Sequence, residues 1–576
     1  MLHILIFLGK KYKTETRSMK EGDFMKLKKL IAIFLSMSMV FAVGCSKTTM
    51  GISENNSSNE SLKEAESSNK DNNLDYLNND SQFPIVNEPI TIKIMANMTE
   101  VMPEYDTVTV WKEYEKMTGI KIEWESVGSQ SIKEKVKLAF ASNEMPDAFL
   151  KCKISNSDLL RFGEQGMLLD LAPYLEEYAP NIWAFINENE EVKKGITFPN
   201  GAIYGIPAGI ETPAVKVSKK IFINKTWMDK LGLKMPTTTQ EFYEVLKAFK
   251  EKDPNGNNLA DEIPFSSDNL TNLYDVLRGS FGLGNRGTAQ QLVDFDETTQ
   301  GVRFIPTAPE YKECMEYMNQ LYSEGLIDYE IFTMNASQFI GKASQNLIGC
   351  FVGPNMALLP TELEENYVGL EVALKGPNGD QLYAPLRTGI HSTGAFVIPT
   401  SNQYPEATLR WIDYFFSDEG SLMYHYGIEG ETYEKKEDGT YDFIQSVYDE
   451  IGGNNSFDSV VSKYVSYAGG NNPTIIKEPF FAGAEMQPIP YQAALNMMPF
   501  VPEEVWPDFT FTLEENERLS VVKTDLNKYF SQMRTEFISG KTSLDTWDNY
   551  LQQMEKMGLQ EFMQLYNQAY ERYIAD

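Results

Sequence analysis

The sequence predicts an α/β protein built from at least two lobes, with a carboxyl-terminal region that is mostly helical. Three observations lead to this prediction. The chain has 576 residues, several times the usual domain size of about 100 to 150 residues. Strand and helix patterns alternate over residues 90–150, which is typical of a parallel sheet with helices on its faces. Apolar residues of the last third recur every three or four positions, as in amphipathic helices.

The composition and the net charge limit the classes of function that the chain can have. Hydrophobic residues make up 42% of the chain and aromatic residues 12%, enough to bury a large core. The net charge of -31 repels a phosphate backbone, so we expect no nucleic-acid partner. Only three histidines are present, of which His391 and His425 lie in the expected mature chain. This scarcity argues against histidine-rich zinc sites and histidine-driven nucleophilic catalysis.

The amino terminus has the pattern of a secretory signal over residues 25–44. Lys26, Lys28 and Lys29 precede an apolar run over residues 30–43, within the usual length of about 7 to 15 residues. The ending Ala42-Val43-Gly44-Cys45 resembles a bacterial lipobox, with Ala42 where leucine is usual. We therefore predict that Cys45 is acylated and anchors the protein to the membrane; the alternative is an ordinary signal peptide followed by an incidental cysteine. Residues 1–24 have no place in such a signal and are interpreted as an upstream start-site artefact.

A polar stretch follows the predicted anchor. Residues 45–87 are rich in Asn, Ser, Glu and Asp, and such a segment buries too little apolar surface to offset its ordering entropy. We expect a disordered tether there. Beyond Cys45 the cysteines are Cys152, Cys314 and Cys350, which allow at most one disulfide and are expected to be buried thiols.

The first folded elements are expected directly after the tether. They are a strand at Ile90–Met95, a helix at Thr107–Met117, a strand at Ile120–Glu125, a helix at Ser131–Ala141 and a strand at Ala148–Leu150. In such sheets the ligand crevice lies beyond the carboxyl ends of the strands. Asn97 and Asp147 are therefore candidates for a cleft, with turn or cap residues as the alternative.

A second set of elements begins with an extended segment at Ala214–Asn224. The helix after it is opened by Pro236 and Thr238, and Glu241 stands three residues after Thr238, as in a capping box. Near the carboxyl terminus one helix is expected to end at Gly540 and another at Gly558, and a last helix carries an aromatic stripe. The apolar stripe of the first of these comprises Leu519, Val522, Leu526, Phe530, Met533 and Phe537.

The most chemically specific segment is a loop over residues 253–264. Oxygen-bearing side chains stand at alternate positions, and Leu259 stands where only a backbone carbonyl is needed. The predicted calcium ligands are Asp253, Asn255, Asn257, Leu259, Asp261 and Glu262. Hard cations such as Ca²⁺ take six to eight oxygens, and an EF-hand offers them at every second residue. This loop differs from an EF-hand in having Asn258 in place of the glycine and Pro264 in place of the final glutamate. The alternative is an Asx-rich turn without metal, and we assign the ion a structural role.

Several segments together resemble extracellular solute-binding proteins of ABC transporters. They include KVKLAFASNEMPDAF at residues 135–149, FGEQGMLLDLAPYL at 162–175, GAIYGIP at 201–207 and YMNQLYSEGLIDYEIFT at 317–333. More narrowly, the chain is similar to the large lipoprotein branch of Gram-positive bacteria, related to alginate-binding proteins, from about residue 88 to the end.

The resemblance implies a periplasmic-binding-protein-like fold, with two lobes joined by a hinge of two or three crossings and a ligand cleft between them. The two-lobed domain is expected over residues 88–576, with a first lobe starting over about 88–212, a second starting over about 213–345, and the remainder shared. The alginate-binding relatives carry a calcium loop of the same spacing, which agrees with the separate reading of residues 253–262.

The function implied is capture of a carbohydrate, most simply an oligosaccharide, and its delivery to a transporter permease by hinge closure. We expect a monomer, lipid-anchored on the extracellular face of a Gram-positive cell membrane and without enzymatic activity. The candidate ligand residues are aromatic platforms and polar partners: Asn97, Asp147, Trp183, Tyr204, Arg387, Trp411, Glu429 and Trp506. For each of them ordinary packing is the alternative.

Two other classes stay open at this point. A secreted glycoside hydrolase or lyase needs only a pair of carboxylates, which the composition does not exclude. A membrane-tethered adhesion or sensor accessory would bind a ligand without a neighbouring permease.

Overall fold

The computed structural model describes residues 74–80, 82–452, 456–466, 468 and 470–575. The predicted start-site artefact, signal peptide, lipid anchor at Cys45 and most of the tether lie outside the described residues. Within the described part, no helix combines the length and apolar character that a membrane span requires.

Fourteen strands among the described residues form two main sheets and two hairpins. They are β1 Ile90–Met98, β2 Ile120–Gly128, β3 Ala148–Leu150, β4 Ile206–Ile210, β5 Lys220–Asn224, β6 Ile263–Ser266, β7 Val293–Asp296, β8 Gly301–Phe304, β9 Ile348–Gly353, β10 Tyr367–Gly369, β11 Ile390–Val397, β12 Tyr433–Lys435, β13 Tyr441–Phe443 and β14 Ile475–Ile476. The six-stranded sheet has the order β14-β4-β11-β3-β1-β2, and the four-stranded sheet has the order β10-β5-β9-β6.

Twenty-one α-helices surround these sheets in the described part of the chain. They are α1 Thr109–Thr118, α2 Ile132–Ser142, α3 Asn156–Glu164, α4 Ala172–Tyr178, α5 Pro180–Glu188, α6 Glu190–Ile196, α7 Pro213–Lys216, α8 Lys225–Leu231, α9 Thr239–Glu251, α10 Leu270–Leu277, α11 Pro309–Ser323, α12 Ala336–Ala343, α13 Thr361–Glu364, α14 Pro405–Asp413, α15 Asp418–Tyr426, α16 Gln445–Asp449, α17 Phe457–Val461, α18 Pro488–Met497, α19 Leu513–Ser539, α20 Trp547–Lys556 and α21 Leu559–Ala575. The predicted α/β class and helical carboxyl-terminal region are confirmed.

The sheets are mixed rather than purely parallel. β1 pairs in parallel with β2 and β3, as the alternation of strands and helices predicts. β11 comes from much later in the chain and runs antiparallel between β3 and β4. The sequence pattern around residues 90–150 contains no information about this returning strand.

Local signals explain where the helices begin and end. The hydroxyl of Thr238 accepts a hydrogen bond from the Glu241 backbone N–H at 3.0 Å, as expected for the start of α9. The Glu241 carboxylate accepts from the Thr237 backbone instead of the Thr238 backbone, so the predicted capping box is displaced by one residue. In the segment expected to be extended, Thr212 caps the short helix α7, and only Lys220–Asn224 is a strand.

The long helix α19 shows how well periodicity predicts a buried face. All six residues of the predicted stripe are buried, and the helix ends at Gly540, which has a φ of 72°. Glycine adopts this left-handed conformation without the steric cost that a Cβ brings. α19 and the helices after it pack on the four-stranded sheet side of the molecule.

Two separate sets of buried residues define two lobes. Core residues of the first lobe fall within 77–215 and 390–481. Core residues of the second lobe fall within 217–386 and 493–569. Over the described residues the chain therefore crosses between the lobes three times, near residue 216, over residues 387–389 and over residues 482–492.

Residues 74–87, which were expected to belong to the tether, pack on the first lobe. Leu77, Ile85 and Val86 are buried in its core, and the Tyr76 hydroxyl donates to Glu406 at 2.7 Å. This part of the expected tether is therefore folded, because a few apolar residues among the polar ones pack on the surface of the first lobe. Cys152, Cys314 and Cys350 are free and buried, as expected.

Candidate ligand cleft and cation loop

Two adjoining cavities lie between the lobes beside the second crossing. Their volumes are about 470 Å³ and about 170 Å³, and both are lined by residues 391–393 and Asp508. The first lobe contributes the segment after β3, the start of β11 and Asn471. The second lobe contributes Gln290, Asp508, Phe509, Phe511 and the facing sides of α19 and α21. Small-molecule sites usually occupy about 300 to 1,000 Å³, so the combined space suits a small ligand.

The segment after β3 has an unusual backbone. Lys151 and Lys153 have φ angles of 60° and 56°. This left-handed conformation is energetically unfavourable for residues other than glycine, and such strained residues are concentrated at functional sites. The Lys151 ammonium is buried and donates to the carbonyls of Ser466 and Ala468, both at 2.7 Å. Burial lowers the pKa of Lys151 to about 7, and the charge of Lys153 adds to this effect. Lys153 is exposed to the larger cavity.

The opposite wall combines apolar rings with one acid and one base. Phe509, Phe511 and Tyr566 line the larger cavity with Asp508 and Lys523. The Lys523 ammonium donates to the Tyr566 hydroxyl at 3.2 Å. The surrounding protein raises the pKa of Asp508 by desolvation, and the charge of Lys523 opposes this rise.

His391 lies at the junction of the two cavities. The residue is exposed and lines both cavities. Desolvation, together with the positive charges of Arg387 and Lys153, lowers the pKa of His391 to about 4. The ring is therefore neutral at pH 7 and offers a ligand one hydrogen-bond donor and one acceptor.

Asn471 is a buried amide at the edge of the same cavity. The residue is 3% exposed, lines the larger cavity and has a φ of 58°. Neither its side-chain oxygen nor its side-chain nitrogen has a hydrogen-bond partner among the described residues. A buried polar group without a partner costs free energy, so this amide is poised for a partner that the chain itself does not supply.

Of the predicted ligand residues, Arg387 lines the smaller cavity. None of the other seven is among the residues that line the two cavities. Trp411 and Trp506 are 1% and 0% exposed and belong to the cores of the first and second lobe. The structure therefore contradicts their prediction as ligand platforms, because a fully covered ring presents no face to a sugar.

The remaining predicted residues have local structural contacts. Asn97 is buried and its side-chain oxygen accepts from Ser129, and Asp147 accepts from the Lys93 backbone N–H at 2.7 Å. Tyr204 is buried against Gly163. Trp183 is partly buried on the first-lobe core, and Glu429 lies in an exposed turn before β12.

Sequence reasoning missed most of the cleft. The missed residues are Lys153, Gln290, His391, Asn471, Asp508 and Lys523. One signal was available for Lys153, which stands three residues after the strand predicted to end at Leu150, on the side of the sheet where ligand crevices lie. The others come from distant parts of the chain that only the tertiary structure brings together.

The predicted cation loop follows α9 and is held by its own side chains. Asp253 accepts from the backbone N–H groups of Gly256 and Asn258 at 2.9 and 3.1 Å. The side-chain nitrogen of Asn257 donates to both carboxylate oxygens of Asp261 at 3.0 Å. These hydrogen bonds fold the oxygen-rich side chains toward one another.

Glu262 provides the test of whether this loop fits a cation. One of its carboxylate oxygens, Oε1, is buried and has no hydrogen-bond partner among the described residues. Burial raises the pKa of Glu262, and the charges of Asp253 and Asp261 raise it further. Carboxylate, amide and carbonyl oxygens are the ligands that Ca²⁺ prefers, so the residue types of this loop fit calcium. In the described part of the chain, however, no three His, Cys, Asp or Glu residues are already close enough together to hold a metal ion.

The sequence matches a family of known proteins over much of its length. Residues 96–421, more than half of the chain, match the model described as bacterial extracellular solute-binding protein. The chain belongs to this family. The two lobes and the interlobe cleft of this solute-binding protein agree with that membership.

Two curated relatives and one solved structure are similar over much of the chain. The fructooligosaccharide ABC transporter substrate-binding protein FusA of Streptococcus pneumoniae is 28% identical over 532 residues, which cover 87% of this chain and 94% of FusA. The lipoprotein LipO of Bacillus subtilis is 29% identical over 376 residues, which cover 62% of this chain and 70% of LipO. The structure of an EF-hand mutant of S. pneumoniae FusA in complex with fructo-nystose is 26% identical, with a TM-score of 0.70, and the match covers 84% of this chain and 100% of that one.

Proposed function

We propose that this solute-binding protein captures an oligosaccharide between its lobes and delivers it to an ABC transporter permease. The main support for this proposal is the pair of adjoining cavities, which residues of both lobes line beside the three crossings of the chain. FusA, which is named as a fructooligosaccharide-binding protein, supports a carbohydrate ligand. The walls offer what sugars require, namely apolar rings at Phe509 and Phe511 and many uncharged polar groups.

The mechanism follows from the position of the cleft. A ligand that contacts His391 on one lobe and Asp508 on the other is bound best when the lobes are close together. It therefore shifts the hinge equilibrium toward the closed form, and the closed form is what the permease would recognise. The three crossings act as the pivot, and no covalent change of the ligand is involved.

Binding without catalysis is part of the same proposal. Glycoside hydrolases use a pair of carboxylates that flank the scissile bond, about 5 to 9.5 Å apart. Among the described residues that line the two cavities, Asp508 is the single carboxylate. This composition favours a binding protein over the alternative of a secreted glycoside hydrolase or lyase.

The test is a melting-shift screen of neutral and acidic oligosaccharides, followed by calorimetry and product analysis of each sugar that shifts the transition. We expect at least one oligosaccharide to bind, to be recovered unchanged, and to make the protein more compact in solution scattering. Hydrolysis products would support the enzyme alternative. Binding of peptides alone would refute the carbohydrate ligand.

A substitution of Asn471 tests whether the ligand binds in this cleft. Asn471→Gly keeps the left-handed backbone and removes the amide, so we expect a loss of affinity of about tenfold, the value of one or two hydrogen bonds, with little change in melting temperature. Asn143→Gly is the matched control, because Asn143 has a φ of 57° and lies outside the cleft. Equal affinity of both variants would show that the ligand binds elsewhere.

We also propose that the loop after α9 binds one structural Ca²⁺. The ligands would be the side chains of Asp253, Asn255, Asn257, Asp261 and Glu262 and the Leu259 carbonyl. The buried, unpartnered oxygen of Glu262 supports the site, as does the EF-hand named in the FusA structure. When bound, the ion neutralises carboxylates that otherwise repel one another. Titration of Ca²⁺ into chelator-treated protein should give heat and a higher melting temperature, and neither change would be seen if the loop is only a turn.

Finally, we propose that Cys45 carries the lipid that holds this protein on the extracellular face of the membrane as a monomer. The lipobox-like ending of residues 42–45 and the similarity to a lipoprotein support this anchor. Metabolic labelling with palmitate should mark the protein, and Cys45→Ala should abolish the label and release the protein into the medium. Unchanged membrane retention of Cys45→Ala would refute the anchor.

A further inference from the structure

The cleft is basic although the chain is strongly acidic. The residues that line the two cavities include three cationic side chains, Lys153, Arg387 and Lys523, against one acid, Asp508. The whole chain has 51 basic and 82 acidic residues. A random piece of this surface would carry an excess of acid. The reversed sign in the cleft focuses a positive potential where a ligand binds.

Arg387 differs from the other arginines of the described residues. Each of the others has at least one hydrogen bond or ion pair from its side chain; they are Arg161, Arg278, Arg286, Arg303, Arg410, Arg518, Arg534 and Arg572. The Arg387 guanidinium forms neither with any described residue. It is also only partly exposed, and burial lowers its pKa. A half-buried guanidinium without an anion is costly.

No carboxylate of the described residues forms an ion pair with the Arg387 guanidinium. Glu485 attracts Arg387, but its carboxylate accepts from the Asn355 side chain at 3.1 Å and forms no ion pair with Arg387 among the described contacts. The Arg387 backbone N–H donates to the Lys216 carbonyl at 2.9 Å, which fixes the residue where two crossings meet. The backbone of Arg387 is thus fixed, and its guanidinium is left without a partner among the described residues beside the smaller cavity.

The neighbouring groups increase the preference for an anion. Lys153 forms no ion pair in the described part of the chain and is exposed in the larger cavity. His391 lines both cavities, Lys153 lines the larger one and Arg387 lines the smaller one, and the neutral ring of His391 brings no negative charge. An anionic group placed near His391 would therefore meet two cations without an ion pair, and Asp508 is the one carboxylate among the described residues that line the two cavities.

We propose that the solute is an acidic oligosaccharide and that an anionic group of one sugar residue pairs with Arg387. The planar guanidinium matches a carboxylate with two parallel hydrogen bonds, so a uronic acid is the residue that fits best; a sulfate ester offers the same charge. This inference rests on the proposed carbohydrate-binding function and specifies the class of sugar. A ligand that pairs with Arg387 would also contact one of the crossings that move when the lobes close.

The experiment is calorimetry on the full chain with trigalacturonate and trimannuronate, each paired with its carboxyl-reduced neutral counterpart, and with a sulfated trisaccharide. We expect at least one acidic sugar to bind tenfold or more tightly than its neutral counterpart, and the difference to shrink at high salt. The sulfated sugar distinguishes a requirement for charge from a requirement for a carboxylate.

Variants test the role of Arg387 directly. Arg387→Gln should weaken binding of the acidic sugar at least tenfold and leave neutral sugars unaffected, and Arg387→Lys should lie between, because lysine keeps the charge and loses the paired geometry. Arg410→Gln is the matched control, since it removes the same charge from a residue that bonds to the Asn78 carbonyl on the first lobe.

The results of these experiments distinguish between failure of the acidic-sugar proposal and failure of the proposed carbohydrate binding. Binding of neutral sugars equal to or tighter than that of every acidic sugar in the wild-type protein overturns the acidic class and leaves the carbohydrate function standing. An acidic ligand whose affinity falls equally in Arg387→Gln and Arg410→Gln overturns the role of Arg387. No binding of any sugar in this set or in the wider screen overturns both proposals.

Discussion

Replacing Trp411 by alanine tests the assignment of this residue to the core of the first lobe. Its ring lies 5.5 Å from those of both Trp111 and Tyr114, between centroids, and 5.8 Å from that of Phe415. The residue is 1% exposed. The substitution would leave a cavity among these rings, and the lobe would lose the packing that connects α14 to α1.

The magnitude follows from the area that the ring buries. An aromatic side chain of this size buries about 150 to 250 Å², worth about 4 to 6 kcal/mol at about 25 cal/mol per Å². Measured losses for such substitutions are about 3 to 5 kcal/mol. We therefore expect Trp411→Ala to lower the free energy of unfolding by about 4 kcal/mol.

The assay is urea-induced unfolding followed by far-ultraviolet circular dichroism, with calorimetry of the bound sugar at a temperature where the variant is still folded. Affinity should stay close to that of the wild type. Trp183→Ala is the control, because Trp183 is only partly buried on the same core and should cost half as much or less. A Trp411 variant of nearly normal stability that has lost its ligand would refute the core assignment and restore the ring as a binding platform.

Three further predictions concern the cation loop, a buried histidine and the contact between the lobes. Glu262→Gln should abolish most of the calcium-induced rise in melting temperature, whereas Glu251→Gln at the exposed end of α9 should keep it. Burial lowers the pKa of His425 to about 4, below the unfolded value of about 6.5. Stability should therefore fall by up to about 3 kcal/mol between pH 6.5 and pH 4, and a pH titration of His425→Asn should lack this component; an unchanged slope would contradict it. The Lys194 ammonium donates to the Tyr573 carbonyl across the lobes at 3.0 Å, so Lys194→Met should enlarge the ligand-free radius in solution scattering, and an unchanged radius would show that this contact does not hold the lobes together.

The prediction of secondary structure succeeded where the signal is local. The strand and helix pattern over residues 90–150 matches the elements from β1 to β3 within a few residues. The six apolar positions of α19 were all identified because helical periodicity is written in the sequence itself. The segment near residue 214 was less accurate, because Thr212 and Pro213 begin a short helix inside a stretch that reads as extended.

Ligand residues were predicted less well because chemical type does not reveal which side of a ring or charge faces solvent. Trp411 and Arg387 were equally plausible in the sequence, yet one fills a core and the other faces a cavity. Asn471 has no signal in the sequence, since it was identified by its left-handed backbone, its place in the cavity wall and the lack of a side-chain partner among the described residues.

The α/β class, the positions of most helices and strands, the family resemblance and the oxygen-rich loop can all be predicted from the sequence. Each of these depends on residues that are close together along the chain. The antiparallel return of β11 between β3 and β4, the three crossings in the described chain, and the meeting of Lys153, Arg387, His391 and Asp508 at two adjoining cavities become visible only in the folded structure. The physical reason is that burial, pairing and charge are set by neighbours hundreds of residues away, whereas periodicity is set by neighbours three or four residues away.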